Sequence, residues 1–284
     1  MEITTKVLTI NGQPIKIHAI STGLVAVKQS MLVAKNPGTL AVLSSFLDRN
    51  FSEWMPIFVW VIEHPEGVFV IDTGENADIN NKDYFKSSGW FENWMNTTQF
   101  KFKVSREEEI DVQLKKIGID PQKVDKVILT HLHLDHIDGL RHFPNSEILV
   151  NQLEWEKPYG DLPKLYPDWL DPTLIPLTQT YENFDKTAFV TKDENLIMIQ
   201  TTGHTYGHTS LMLKTDQGYV FFAGDVVYNL EQLTQNKYSA VQVDKKASIQ
   251  NYENIKAFAK QQKLVLLPSH EFAAVDRLVN MEGI

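Results

Sequence analysis

The stretch VILTHLHLDHIDG (127–139) sets an apolar run directly ahead of three of the chain's nine histidines and two aspartates. The run KVILT (126–130) reads as a short buried strand, since a continuous apolar segment of this length bounded by polar residues fits the interior of a sheet. The segment from His131 onward is too polar to continue it. In an extended segment His131, His133 and Asp135 share one face and His136 lies on the other, so a turn is required for all four to converge. Neutral imidazole and carboxylate are natural ligands of zinc and related divalent ions. A solvated surface cluster is the plain alternative, yet imidazoles crowded behind a buried strand gain little from proximity unless they share a cation.

Further candidate ligands occur downstream. The segment TTGHTYGHTS (201–210) offers His204 and His208, Ala223-Gly224-Asp225 offers a carboxylate, and Pro268-Ser269-His270 offers another imidazole. Each alone is weak, because such residues commonly serve turns. Together they exceed what one ion needs and all fall at expected strand ends, which points to two metals bridged by a carboxylate. At this level His204 and His208 are equal candidates.

The surrounding pattern places these residues in a layered α/β fold. Residues 3–28 alternate as strands about Asn11-Gly12, a strong hairpin signal. A second hairpin runs from PIFVWVIEH (56–64) through Pro65-Glu66-Gly67 to VFVIDTG (68–74). Ser105 and Glu108 form a capping-box pattern for a helix toward Lys116 that stops at Gly118. Strands are expected at 196–201, 209–215 and 219–223, then a helix near 244–261 and a strand at KLVLLP (263–268). Each half thus ends in a strand followed by histidine, which suggests two sheets sandwiched between helices.

Composition narrows the chemistry. The chain of 284 residues is 43% hydrophobic and 22% charged, enough for a large core, and it has no cysteine. Thiolate catalysis and cysteine-ligated metals are therefore excluded, leaving His, Asp and Glu as ligands. A formal charge of −9 disfavours nucleic acid as a partner. With no signal-peptide pattern at the N-terminus and no run of membrane-spanning length, the expectation is a soluble cytoplasmic protein without membrane association.

At this point the residues resemble a known family. HLHLDH (131–136) matches the HxHxDH motif of the metallo-β-lactamase superfamily, and the TTGH, AGD and PSH elements come in that superfamily's order. The resemblance implies a four-layer αβ/βα sandwich, here a single domain over 1–284, with a dinuclear centre at one edge. Carried over by position, His131, His133 and His204 hold one metal, Asp135, His136 and His270 the other, and Asp225 bridges them. It implies two divalent ions, zinc first among them, and leaves His208 to a supporting role. Asp72, in IDTG, is read as orienting loops or a ligand imidazole.

Within the superfamily the chain is most similar to the N-acyl homoserine lactonases. Only 14 residues lie beyond His270, which disfavours glyoxalase II members with their C-terminal helical domain, and the acidic charge disfavours RNA-processing members. MPIFVWVIEHPEGVFVIDTG (55–74) resembles the lactonase hairpin, and Tyr228 lies three residues after Asp225, where those enzymes keep a catalytic tyrosine. Leu134 departs from the Phe many lactonases carry there. The resemblance implies opening of an acylated lactone ring, a quorum-quenching activity, with hydroxide as nucleophile, Tyr228 as donor to the developing oxyanion and Asp135 as proton carrier. Leu134, Phe85, Trp90, Phe91 and Trp94 are candidates for contact with the acyl chain, and the aromatic segments 84–100 and 155–169 read as pocket walls, a homodimer surface or plain core. An organophosphate hydrolase or broad esterase on the same metals is the rival reading, and a non-catalytic metabolite-binding module the reading from another class.

Overall fold

The turn at Asn11-Gly12 sets the first edge of the fold in a computed structural model that describes residues 1–33 and 45–284. Both turn residues take positive φ, 51° and 75°, the twist a two-residue hairpin needs. They fold β1 (Thr4–Ile10) onto β2 (Gln13–Val27). β2 pairs with β3 (Met55–His64), and Pro65-Glu66 returns β3 onto β4 (Gly67–Ile71). The far half of β2 also carries β5 (Phe100–Lys103). Beyond β4 the sheet becomes parallel, through β6 (Lys126–Leu129), β7 (Glu147–Asn151) and β8 (Thr173–Ile175).

The second sheet contains β9 (Gln179–Tyr181), β10 (Phe184–Phe189), β11 (Leu196–Gln200), β12 (Thr209–Thr215), β13 (Gly218–Gly224) and β14 (Leu264–Pro268). Its order is β14-β13-β12-β11-β10-β9, with the β13–β14 pair parallel. Strand periodicity then sorts side chains into layers. Phe58, Trp60 and Ile62 of β3 meet Val220 and Phe222 of β13 in a core shared by both sheets. Val59 and Val61 point the other way, under Ile110 and Leu114 of the helix Ile110–Lys116. Phe221 and Ala223 pack beneath Tyr252, Ile255 and Phe258 of the helix Lys245–Ala259. The result is helix, sheet, sheet, helix, the αβ/βα arrangement.

The expected elements are present with two adjustments. Ser105 and Glu108 do form the capping box, but the turn they open covers only Arg106–Glu108. Glu109 is extended (ψ 146°), and the helix restarts at Ile110. The reason is the Glu109 side chain, which is drawn inward to accept from Ala77 N, Arg141 and His142. Strands β7–β10 carried no distinct pattern in the sequence, being short and, in β9, mostly exposed. No helix among the described residues is long and apolar enough to cross a membrane.

Candidate metal centre

Four strands deliver the candidate ligands to one seam between the sheets. β6 ends at Leu129 and releases His131 and His133, after which the one-turn helix Leu134–Ile137 provides the turn that brings Asp135 and His136 back. β11 leads to His204, β13 to Asp225 and β14 to His270. Backbone hydrogen bonds stitch the seam: Thr209 N–H donates to Thr130 O at 2.8 Å, and Phe58 N–H to Ser269 O at 2.9 Å.

The residues converge as two cups about a shared carboxylate. Ligand atoms of His131, His133 and His204 lie within 4.8 Å of one another, and so do those of Asp135, His136 and His270. Asp225 stands between them. Its Oδ2 lies 3.5 Å from His204 Nε2 and 4.0 Å from His131 Nε2, while Oδ1 lies 3.3 Å from Nε2 of both His136 and His270. Asp135 Oδ2 is 3.5 Å from His270 Nε2.

The outer nitrogens test whether this geometry suits cations. His204 Nδ1 donates to Val241 O (3.0 Å), His133 Nε2 to Tyr159 O (2.9 Å) and His270 Nδ1 to Pro56 O (2.9 Å). His136 Nδ1 donates to Asp72 Oδ2 at 2.8 Å. Thr130 Oγ1 gives its proton to Asp72, so it accepts from His131 Nδ1 at 3.0 Å. In neutral imidazole one ring nitrogen is then the donor and the other a bare lone pair. All five bare nitrogens face inward. His204 Nε2 and His133 Nδ1 oppose each other at 2.8 Å with no proton to share. His131 Nε2, His136 Nε2 and Asp225 Oδ1 are buried without a hydrogen-bond partner. Buried polar atoms are rarely left so, and lone pairs converging on a carboxylate repel unless cations lie among them. The donor set fits divalent metal, with the acceptors behind the imidazoles fixing each tautomer.

Charge agrees with this reading. Burial, then neighbouring imidazoles, holds His131 and His204 well below the ordinary histidine range, which favours the neutral form that a metal ligand needs. Burial also opposes charge on His136 and His270, but the Asp225 carboxylate overrides it and raises both, so this cup favours positive charge beside Asp225, the charge a cation would bring in place of protons on the two inward nitrogens. Asp225 stays ionised despite burial because His270 and His136 draw it well below the carboxylate range. The Tyr228 ring sits 5.9 Å from that of His204 and 5.7 Å from that of His270. Burial and the nearby Asp225 push its phenol well above its usual value, which keeps it a proton-bearing donor.

Structure separates the two histidines that spacing left equal. His208 Nε2 accepts the Asp225 backbone N–H at 2.9 Å and its Nδ1 donates to Thr201 Oγ1 at 2.8 Å. Both nitrogens are spent, so His208 holds the backbone of Asp225 and His204 faces the cup. Asp72, in the left-handed region at φ 60°, accepts from Thr130 N, Thr130 Oγ1 and His136. A further group, Glu109, Asp111 and His142, also has ligand spacing, but Arg106 and Arg141 occupy its carboxylates.

A cavity of about 440 Å³ opens over the centre. Its floor includes His133, Asp135, His204, Asp225, Tyr228 and His270, and its walls Val25, Met31, Met55, Met95, Phe100 and Leu162. Of the residues proposed for acyl contact, Leu134 and Phe91 line it. Phe85, Trp90 and Trp94 do not, among the described residues. Phe85 is buried with Ile79, Val104 and Leu162 in a satellite core, Trp90 is 82% exposed, and Trp94 stacks on Phe46 at 4.9 Å. On the helix Trp90–Gln99, Phe91 and Met95 are four residues apart and share the cavity face, whereas Trp90 and Trp94 fall beside it. The methionine lining and the walls from β2 and β3 carried no recognisable signal, since those strands are apolar in the way any buried strand is.

Comparison with known proteins agrees with the geometry. An N-acyl homoserine lactonase from a Bacillus sp. is 26% identical over 219 residues, spanning 76% of this chain and 82% of the relative. The solved structure of an N-acyl homoserine lactone hydrolase with N-hexanoyl-L-homoserine at its catalytic metal centre superposes with a TM-score of 0.73 at 22% identity, over 95% of this chain and 94% of that one. AidC, a dizinc quorum-quenching lactonase in complex with a product, superposes with a TM-score of 0.64 at 13% identity, over 95% and 90%. The family model of the metallo-β-lactamase superfamily matches residues 52–270, which hold every candidate ligand in the seam. With its sandwich, its histidine-lined seam and this match, the chain belongs to the metallo-β-lactamase superfamily of metal-dependent hydrolases.

Proposed function

We propose that the protein is a hydrolase that opens the lactone ring of N-acyl homoserine lactones and that it works with two divalent ions, zinc by preference. The observation that carries this reading is the pair of cups sharing Asp225 beneath an apolar cavity, with Tyr228 between His204 and His270. The named lactonases among the relatives support the substrate class. The same reading treats 1–284 as a single domain, since one core joins the two sheets.

In that reading His131, His133 and His204 hold one ion, Asp135, His136 and His270 the other, and Asp225 bridges. Bound there, the ions would supply Lewis acidity and a hydroxide nucleophile at neutral pH. The chain's own residues do the rest. Leu134, Phe91, Met95 and Leu162 receive the acyl chain and exclude water. Tyr228, protonated, donates to the carbonyl oxygen as negative charge develops on it. Asp135, at 20% exposure, takes up the proton released on attack and returns it to the leaving ring oxygen. The product is an N-acyl homoserine.

Purified, metal-analysed protein should be assayed against short- and long-chain acyl homoserine lactones, paraoxon, a cephalosporin and a lactoyl thioester. Rapid turnover of the lactones alone is expected. Faster hydrolysis of paraoxon would replace this reading with the organophosphate one, and no turnover of any substrate would leave a binding module.

A further inference from the structure

Glu154 has no place in the chemistry above, yet it is fully buried and, among the described residues, forms no ion pair. It sits on the one-turn helix Gln152–Glu156 directly after β7, and each donor to its side chain belongs to a loop bearing candidate ligands. Its Oε1 accepts from Leu132 N at 3.2 Å, between His131 and His133. Its Oε2 accepts from Thr205 Oγ1 at 2.6 Å and from Gly207 N at 3.0 Å, just past His204. Asn151 adds a donor to Gly207 O at 2.7 Å. Gly207 admits this approach because a Cβ there would overlap the Glu154 backbone.

None of these contacts reaches Asp135, His136 or His270. On that side His136 is held by Asp72, which also reaches His131 through Thr130 Oγ1 and so serves both cups. We infer that Glu154 is a positioning residue which locks the HxH loop to the TTGH loop and so sets the spacing of the His131, His133 and His204 cup, without serving the other cup. The inference rests on the two-ion reading above. A merely structural buried carboxylate would weaken both ions alike when replaced. A cup-specific one weakens a single ion, and carboxylates that brace ligands from behind commonly govern about 10- to 100-fold in metal affinity.

The test is Glu154→Gln, whose amide must set an N–H against one of the backbone N–H donors. Metal-stripped wild type and variant are titrated with zinc against a chromophoric chelator. Wild type should take up two equivalents; the variant should lose about 10- to 100-fold in affinity for one and keep the other. Placed on His133→Ala, which has already disabled that cup, Glu154→Gln should cost nothing more, whereas on His270→Ala it should weaken the remaining ion. Unchanged affinities, equal loss at both equivalents, or a further loss on His133→Ala would each overturn the inference. If Glu154→Gln does not fold, Thr205→Val removes a single donor and should show a smaller loss at the same equivalent; two unchanged affinities there overturn the inference equally. Wild type that takes up fewer than two equivalents refutes the two-ion reading itself, a result separate from any difference between variant and parent.

Discussion

Stripping the metal should lower the thermal midpoint by several degrees, and the size of the drop can be worked out beforehand. Two cups imply two stabilising binding events. A ligand present at about 100 times its Kd stabilises the folded state by about 2.7 kcal/mol, so a pair gives about 5.4 kcal/mol. Unfolding entropy of about 2.1 cal/mol/K per residue makes the chain's total roughly 0.6 kcal/mol/K. The ratio is a shift of about 9 °C. Scanning calorimetry of stripped protein with and without added zinc reads it directly. Asp225→Asn should lose more than half of the shift, because its oxygens face imidazoles of both cups, at 3.3 Å from His136 and His270 and 3.5 Å from His204. Its metal content and turnover should fall together. A midpoint indifferent to zinc, or an Asp225→Asn variant with the full shift, would refute the reasoning that the inward lone pairs are there for cations.

Tyr228→Phe should reduce turnover about 10- to 1,000-fold, the scale of one oxyanion donor, with two equivalents of metal still present by elemental analysis; an unchanged rate removes the phenol from the mechanism. Leu134→Phe narrows the cavity and should slow long-chain lactones more than short ones, and a uniform effect across chain length would place the acyl group elsewhere. Trp60→Ala, in the core between the sheets, should cost about 3–5 kcal/mol in urea unfolding, whereas a loss under 1 kcal/mol would mean that the sheets do not depend on that contact.

The convergence of the candidate ligands and the layers could be read from sequence because both obey short local rules. A strand that stops at a histidine-rich loop announces itself at 126–136, and the hairpin turns at Asn11-Gly12 and Pro65-Glu66-Gly67 announce the first sheet. What could not be read depends on contacts between distant segments. Nothing in GHTYGH tells His204 from His208 until the Asp225 N–H is seen donating to His208. The helix break at Glu109 arises from partners at Ala77, Arg141 and His142. The aromatics of 84–100 look alike in sequence, yet they divide among cavity, satellite core and surface according to the element and face each occupies.

Apart from Leu134, which sits between His133 and Asp135, much of the apolar cavity wall comes from parts of the chain that hold no candidate ligand. Phe91, Met95, Phe100 and Leu162 lie on segments that carry no ligand, while the ligands sit at the ends of β6, β11, β13 and β14. Mutations in 84–102 can therefore reshape what the cavity accepts without touching the candidate ligands, whereas 159–162 is less free, because Tyr159 O braces His133. Such separation makes the scaffold evolvable: selection can retune substrate choice in one set of loops without first passing through an inactive ancestor.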